Sequence, residues 1–566
     1  MERLRRHRVF VMAVVINILV VAAGVLDPQT LGQWANRGLE EITRLFGWFY
    51  MVSLFGFVVL LFALAFSRYG KLRLGPQDSR PDYDVFSWIS MLLAAGLGVG
   101  LVFYGMAEPM SHYLSPPFAE ATPATAEAAR QAIQYSFFNW GVHQWSVFGL
   151  VGLIIAYFQF RKGRAGLVSS VLSTVTPARP RGRRWAPWLD VFAVVATVMG
   201  VATSLGLGVL QVNGGLHAVF GLPEGLAWQS LILAVMFAAY MASTWAGLDK
   251  GIRRLSNLNM LLCLGMLLYV LVTGPTLRIL ETITLGFGDY LQHFIGMSLH
   301  ATPYADDAWA SEWTLFYWSW AIAWSPFVGT FVARVSRGRT IREFVLGVLL
   351  VPALLACLWI GVFGGAALNL ERTADAGLAA ASRDNVNVAL FYLLDLLPMS
   401  ELASVVAMLL ILVFLVTSAD SASYIVAQMT DDGSINPPLY KRVTWGVLIA
   451  AICLTLIALG GLGGLQSASV LSSLPFSFVL LAMAVALVRM LRRDHASLLN
   501  LLYRRHGDIP VGADAIEADL LEREQQLRAA RRRVAAERQA SPAREVEPET
   551  ATETKTEADT EASPGA

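Results

Sequence analysis

Phe414, Thr417, Ser418 and Ser421 recur at i, i+3, i+4 and i+7 inside an apolar run, the spacing of one helical face. Two hydroxyls and a backbone carbonyl on that face can converge on a small cation, and sodium is bound in membrane helices by such neutral oxygens. The same hydroxyls can instead bond back to the carbonyl four residues earlier. Asp420 falls off this face. A carboxylate inside a membrane run is a functional candidate, and a pairing with Arg334 or Arg337 near the inner end accounts for it equally well.

A second set of residues is aromatic. Trp313, Tyr317, Trp320, Trp324 and Phe327 fall within about 80° of one another at 100° per residue. Trp140, Trp145 and Phe148 form another group upstream. Tryptophans in membrane proteins often make interfacial belts, but Trp320 and Trp324 lie roughly 10 to 16 Å into their run at 1.5 Å per residue. A buried wall of rings suits a quaternary ammonium, attracted to ring faces by about 0.5 to 2 kcal/mol each.

The third set is backbone. Gly96-Leu97-Gly98-Val99-Gly100 and Ser325-Pro326-Phe327-Val328-Gly329 each interrupt an apolar run. Such breaks are tolerated in lipid only where protein or a watery cavity covers the freed backbone groups. They open two consecutive sets of five runs, the pointer expected of an inverted-repeat transporter with a site at the membrane midplane. Close packing through small residues is the other reading of the glycines.

The elements that must position these residues are membrane helices. Of 566 residues 55% are hydrophobic and only 15% charged, with a mean hydropathy of +0.54, well under the roughly 25% charged residues of soluble domains. A soluble enzyme is excluded. No nucleic-acid footprint follows from a net charge of +1, and the glycine run, embedded in a span, is the wrong context for phosphate binding. Apolar runs near 9–26, 47–66, 86–106, 135–160, 186–212, 227–247, 255–275, 313–334, 344–369, 401–429, 443–463 and 468–490 predict twelve spans with both termini on one side. If that side is cytoplasmic, the inner segments before the C-terminal tail carry 24 Lys and Arg against 6 outside, an alternation that sets the orientation. The first run, after MERLRRHR, reads as a retained helix rather than a cleaved signal. Cys263, Cys357 and Cys453 sit far apart in apolar runs and read as packing residues.

The expected organisation is therefore two leading spans (1–85), a five-span unit (86–275), an outer connection with an amphipathic helix (276–312), a second five-span unit (313–491) and a cytoplasmic tail (492–566). The tail starts as a helix-forming, mixed-charge stretch and ends acidic and poor in hydrophobics, hence disordered. Arg528, Arg531, Arg532 and Arg533 give it a basic face.

At these residues the chain resembles the betaine/carnitine/choline transporter family. The resemblance runs in order through all twelve spans and is carried by GMAEPMSHYLSPP at 105–117, TVMGVATSLGLGVLQ at 197–211, EWTLFYWSWAIAWSPFVGTFVARVSRGRTIREF at 312–344 and VTSADSAS at 416–423. It implies an all-α polytopic protein of the bacterial inner membrane, with twelve helices, a LeuT-like five-plus-five inverted repeat, alternating access and often a homotrimer in lipid. It also implies sodium as coupling ion, held by Ala94, Leu97, Phe414, Thr417 and Ser418, and a small zwitterionic or quaternary-ammonium solute near Gly96, Gly98, Trp140, Trp145, Phe148, Trp320, Ala321 and Trp324. Two positions depart from the family: its second tryptophan after Trp320 is Ala321 here, and its fourth-span tyrosine is Phe148. A second sodium site of betaine importers maps to Thr197, Val201, Phe148 and Phe327, where two hydroxyl ligands are missing, so that site is expected to be vestigial. In osmoregulated members a basic C-terminal helix is linked to activation. The resemblance thus implies a sodium-coupled importer of a compatible solute resembling glycine betaine, and no enzyme. A sodium-independent exchanger, a carrier of ectoine, dimethylsulfoniopropionate, choline or carnitine, and an osmosensor acting through its tail are the alternatives.

Overall fold

A computed structural model of the chain describes residues 2–506 apart from 97, 175–181, 247, 304–308, 375 and 435. Residues Met1–Leu491 make one compact unit and Arg492–Ala566 a second. The described helices are α1 Glu2–Leu26, α2 Pro28–Phe66, α3 Val85–Gly96, α4 Gly98–Leu114, α5 Ala126–Trp140, α6 Val142–Ala156 and α7 Val168–Leu172. They continue as α8 Gly182–Phe220, α9 Leu226–Ala246, α10 Leu248–Thr273, α11 Thr276–Gln292, α12 Phe294–Ser298, α13 Trp309–Glu312 and α14 Thr314–Val335. The last are α15 Ile341–Ala374, α16 Leu378–Asp384, α17 Ala389–Asp395, α18 Ser400–Met429, α19 Leu439–Gly460 and α20 Leu462–His506. Among the described residues there is no strand, only an isolated bridge between Arg73 and Thr340.

Nine of these helices are long and apolar enough to cross a membrane, or eleven when two bent pairs each count as one span. Helix α14, the eighth run expected from the sequence, is not among them. Its tryptophans, tyrosine and serines lower its hydropathy, and 20 of its 22 residues are buried inside the protein. A helix that meets protein on all sides has no need of a lipid-compatible surface. Burial sorts the other helices in the same way. The most apolar 18-residue stretches of Ala126–Arg161 and Ala186–Phe220 are 94% buried, whereas those of Arg8–Leu26 and Leu226–Trp245 are 22% buried, and the latter two segments present Leu19, Val25, Leu231, Val235 and Trp245 outward. The core is thus α5, α6, α8 and α14, with α1 and α9 peripheral.

The basic residues expected on the inner side act as stitching. The connection after α2 pairs with the one after α14: the Leu74 amide donates to the Arg339 carbonyl, the Gly338 amide donates to the Leu74 carbonyl, and Arg73 donates to the Gly338 carbonyl at 2.7 Å. Gly338 has φ +81 and its α-carbon faces the Arg80 carbonyl, leaving no room for a side chain. The Arg339 guanidinium lies 4.0 Å over the Trp88 ring and donates to the Tyr83 carbonyl, while Arg342 donates to the Ala65 carbonyl. Guanidinium groups are satisfied here by carbonyls and rings rather than carboxylates.

On the opposite side, α11 leaves the preceding helix at 114°. Its Leu277, Leu280, Leu285 and Leu291 are exposed while Ile279, Gly286, Asp289 and Tyr290 are buried. Asp289 fixes it by accepting two bonds of 2.7 Å from Arg130 of α5. The α1–α2 corner is capped by Asp27, whose carboxylate accepts the Thr30 amide and is held below its usual range by that bond. Cys263, Cys357 and Cys453 are unpaired thiols, as expected of packing residues.

Candidate functional site: an aromatic cage against a broken helix

The α3–α4 segment breaks where the glycines fall. Helix α3 ends at Gly96, α4 begins at Gly98 with a left-handed φ of +43, and the two arms are bent by 66°. Each glycine lies against an indole. A methyl group built on Gly96 would overlap the Trp145 ring, and one on Gly98 would lie 3.2 Å from Trp324. On Gly100 it would overlap Trp320 and lie 3.1 Å from Trp140. The glycines are therefore neither a helix–helix seam nor a flexible hinge alone: they let the main chain touch four rings contributed by α5, α6 and α14.

The rings form one continuous wall. Trp320 and Trp324 stack at 6.0 Å, Trp140 meets Trp320 edge to face at 6.2 Å, and Phe148 bridges Trp145 at 5.4 Å and Trp324 at 5.9 Å. Tyr317 joins at 5.2 Å from Trp140, and Phe327 at 5.9 Å from Trp324. All of these side chains are buried, and so is Ala321.

The four indole N–H groups divide in two. Trp140 donates to Glu108 at 2.7 Å and Trp320 to the Gly200 carbonyl at 3.3 Å. Those of Trp145 and Trp324 are buried and have no acceptor among the described residues. Buried N–H groups are nearly always bonded, and these two, like those of Trp318 and Trp359, have no protein acceptor among the described residues.

Of the residues expected to hold sodium, Leu97 lies outside the described residues, as does the side chain of Ala94. The half on α18 is described. Phe414 and Thr417 are buried and Ser418 half-buried. The Thr417 hydroxyl lies 2.9 Å from the carbonyls of Val413 and Phe414, the back-bonding arrangement, and accepts from Asn259 of α10 at 3.3 Å. Asn259 is buried with its own side-chain oxygen unmet. It escaped the sequence reading because an amide in an apolar run has no spacing to betray it.

At the residues expected to form a vestigial second site, the Thr197 hydroxyl bonds back to Ala193 at 2.8 Å, and Val201, Phe148 and Phe327 are buried. Asp420 overturns an expectation: it pairs with neither Arg334 nor Arg337. Its oxygens accept from Ser243 at 2.6 Å and Thr244 at 2.5 Å on α9. Arg334 instead lies over the Tyr424 ring at 5.6 Å, with Arg442 also over it at 5.5 Å. A further residue was missed because the run was expected to end at 106. Helix α4 continues to Leu114 through Pro109, which places Glu108 inside it, wholly buried. An acid in an otherwise uncharged stretch was the available signal. Arg528, Arg531, Arg532 and Arg533 lie outside the described residues.

With this geometry in place, comparison with known proteins decides the family. The family model described as BCCT, betaine/carnitine/choline family transporter, matches residues 8–496. The chain belongs to that family. Among its relatives are the ectoine/hydroxyectoine transporter of Virgibacillus pantothenticus, 48% identical over 86% of this chain and 96% of the relative, and the glycine betaine transporter OpuD of Bacillus subtilis (strain 168), 42% identical over 86% and 94%. The high-affinity choline transport protein of Escherichia coli (strain K12) is 38% identical over 81% and 68%. As a betaine/carnitine/choline family transporter the chain is a multi-span helical protein of the bacterial inner membrane that moves a small solute and is not an enzyme. The tryptophan cage and the glycine break are this transporter's candidate solute site.

Proposed function

We propose that the chain is a sodium-coupled importer of a zwitterionic compatible solute. It works by alternating access through twelve spans in a five-plus-five inverted repeat, with both termini cytoplasmic. The observation that carries this reading is the pairing of each glycine of the break with a ring of the cage: rings attract a cationic head, and the unmet N–H groups of Trp145 and Trp324 suit a carboxylate. A solute with both ends fits one site. Sodium would be held by the backbone at Ala94 and Leu97 with Phe414, Thr417 and Ser418, the ion joining the broken helix to α18. With Val201 and Phe148 lacking hydroxyls at the second position, the expected stoichiometry is one sodium per solute. Radiotracer uptake of glycine betaine, ectoine, choline and carnitine in cells stripped of their own carriers, with sodium or potassium outside, tests the reading. Sodium-independent uptake, or uptake of none of these, would sink it.

A cyclic solute of the ectoine type is favoured over a trimethylammonium by one observation. Ala321 and Phe148 remove an indole and a hydroxyl from the box, leaving room for a broader, flatter cation, and a relative of 48% identity is named an ectoine/hydroxyectoine transporter. Ala321→Trp is therefore expected to narrow the substrate range, shifting competition toward glycine betaine by about tenfold, the order of one ring contact. An unchanged order of competitors would remove this assignment. The tail is assigned a regulatory role: truncation after residue 500 should abolish osmotic activation while leaving basal uptake, and activation that survives truncation argues for an unpartnered charged helix. A homotrimer in lipid is the expected assembly.

A further inference from the structure

Glu108 is the most deeply buried acid beside the cage, and its bonds are unusual for a structural carboxylate. One oxygen accepts from the Trp140 indole at 2.7 Å. The other accepts from the Asn139 amide at 2.9 Å and lies 3.2 Å from His112 Nε2, one turn along α4. Asn139 in turn accepts from Thr314 of α14 at 2.9 Å. Glu108, His112 and Asn139 are all wholly buried, and the His112 ring is walled by Trp313 at 4.6 Å and Trp309 at 4.9 Å. Among the described residues no lysine or arginine pairs with Glu108.

Two consequences follow from elementary electrostatics. Glu108 accepts from both Asn139 and Trp140, so it holds the last turn of α5 and sets the angle at which Trp140 faces Gly100 and Trp320. A carboxylate receiving an indole N–H also makes the ring face beyond it more negative, in an interior where charges are weakly screened. Trp140 becomes a better wall for a cation and a worse one for an apolar head of the same shape. The remaining rings lack this arrangement: Trp320 donates to a neutral carbonyl, while Trp145 and Trp324 donate to nothing among the described residues.

We propose that Glu108 is a positioning and specificity residue of the transporter, acting through Trp140 to make that wall of the cage select a positively charged head over a neutral one. The inference rests on the zwitterion reading above and assigns its two ends: the cationic head against Trp140 and Trp320, the acceptor end toward the unmet donors of Trp145 and Trp324.

The test uses the purified full-length transporter, radiolabelled glycine betaine as probe, and 3,3-dimethylbutanoate, which replaces the ammonium nitrogen with carbon, as competitor. Wild type is expected to prefer the probe strongly. Glu108→Gln should reduce that preference at least tenfold, raising the Kd for the probe while barely changing that for the carbon analogue, and uptake should show a raised KM with Vmax largely kept. Trp140→Phe removes the same bond from the other side, so the preference should fall there too, and the double variant should be no worse than Trp140→Phe alone. That variant carries the test if Glu108→Gln does not fold. Parallel weakening of both ligands, or additive effects in the double variant, would show a merely structural or a separate role and overturn the proposal. A wild type that binds the probe with no preference over its carbon analogue overturns it as well. A wild type that binds neither glycine betaine nor ectoine removes the zwitterion reading and this inference together, whereas binding of ectoine but no glycine betaine, or binding with an unchanged preference in Glu108→Gln, removes this inference alone.

Discussion

Gly100→Ala is expected to cost roughly 30- to 150-fold in uptake efficiency, the equivalent of about 2 to 3 kcal/mol of overpacking. The added methyl falls on the Trp320 ring and within 3.1 Å of Trp140, and neither ring has space to retreat, since Trp140 is bonded to Glu108 and Trp320 stacks on Phe316 at 6.0 Å and on Trp324. Rings that tilt by a few degrees lose their common wall, so the loss should appear mainly in solute affinity. Gly265→Ala is the matched control, because nothing lies within 4 Å of a methyl there. Both variants should reach the membrane in similar amounts. Uptake by Gly100→Ala within twofold of wild type would mean that the cage as described is not where the solute binds.

Thr417→Ala is expected to uncouple the carrier. A tenfold sodium gradient supplies about 1.4 kcal/mol and a 100 mV potential about 2.3, so a single ion can sustain roughly 500-fold accumulation of a neutral zwitterion. On the proposed sodium site, removing the hydroxyl would delete one ligand, and it also removes the acceptor for the Asn259 amide, where Asn259 already has an unmet oxygen among the described residues. Accumulation in vesicles should fall from hundreds-fold toward equality while exchange of labelled for unlabelled solute persists, and Thr417→Ser, which keeps the hydroxyl, should retain most of the gradient. Concentration of solute by Thr417→Ala vesicles at the wild-type level, or by wild-type vesicles in potassium-only buffer, contradicts the coupling scheme.

These two expectations draw on different levels of information. The Thr417 and Ser418 pair was legible from spacing, because a helix repeats its faces every three to four residues whatever surrounds it. That spacing serves a back-bonded hydroxyl and a cation ligand equally, and the Thr417 geometry contains the first arrangement along with a contact from α10 that no local pattern encodes. Asp420 illustrates the limit. Its isolation in an apolar helix drew attention to it, but its partners, Ser243 and Thr244, lie on a helix about 175 residues away, and Arg334, one of the two arginines offered as its partner, lies over Tyr424 instead. Glu108 was hidden by a boundary drawn where hydropathy fell, and hydropathy can fall there because α4 is covered by protein on both sides of that boundary and needs no apolar surface. The same cause keeps α14 out of the set of apolar spans although it lies at the centre of the fold.

What the sequence determined by itself was what short-range periodicity and the cost of moving charge through lipid govern: the apolar helices, the break at 96–100, the row of rings on another helix, and the family to which the chain belongs. The second break expected at 325–329 is absent, since α14 runs through Pro326 as one helix. What only the tertiary structure decided was which glycine faces which ring, which indole N–H groups are already bonded, and what a buried carboxylate holds. Those depend on the rotation and depth of each helix against neighbours hundreds of residues distant, and such rotations are set by the packing of all of them together rather than by any one stretch of chain.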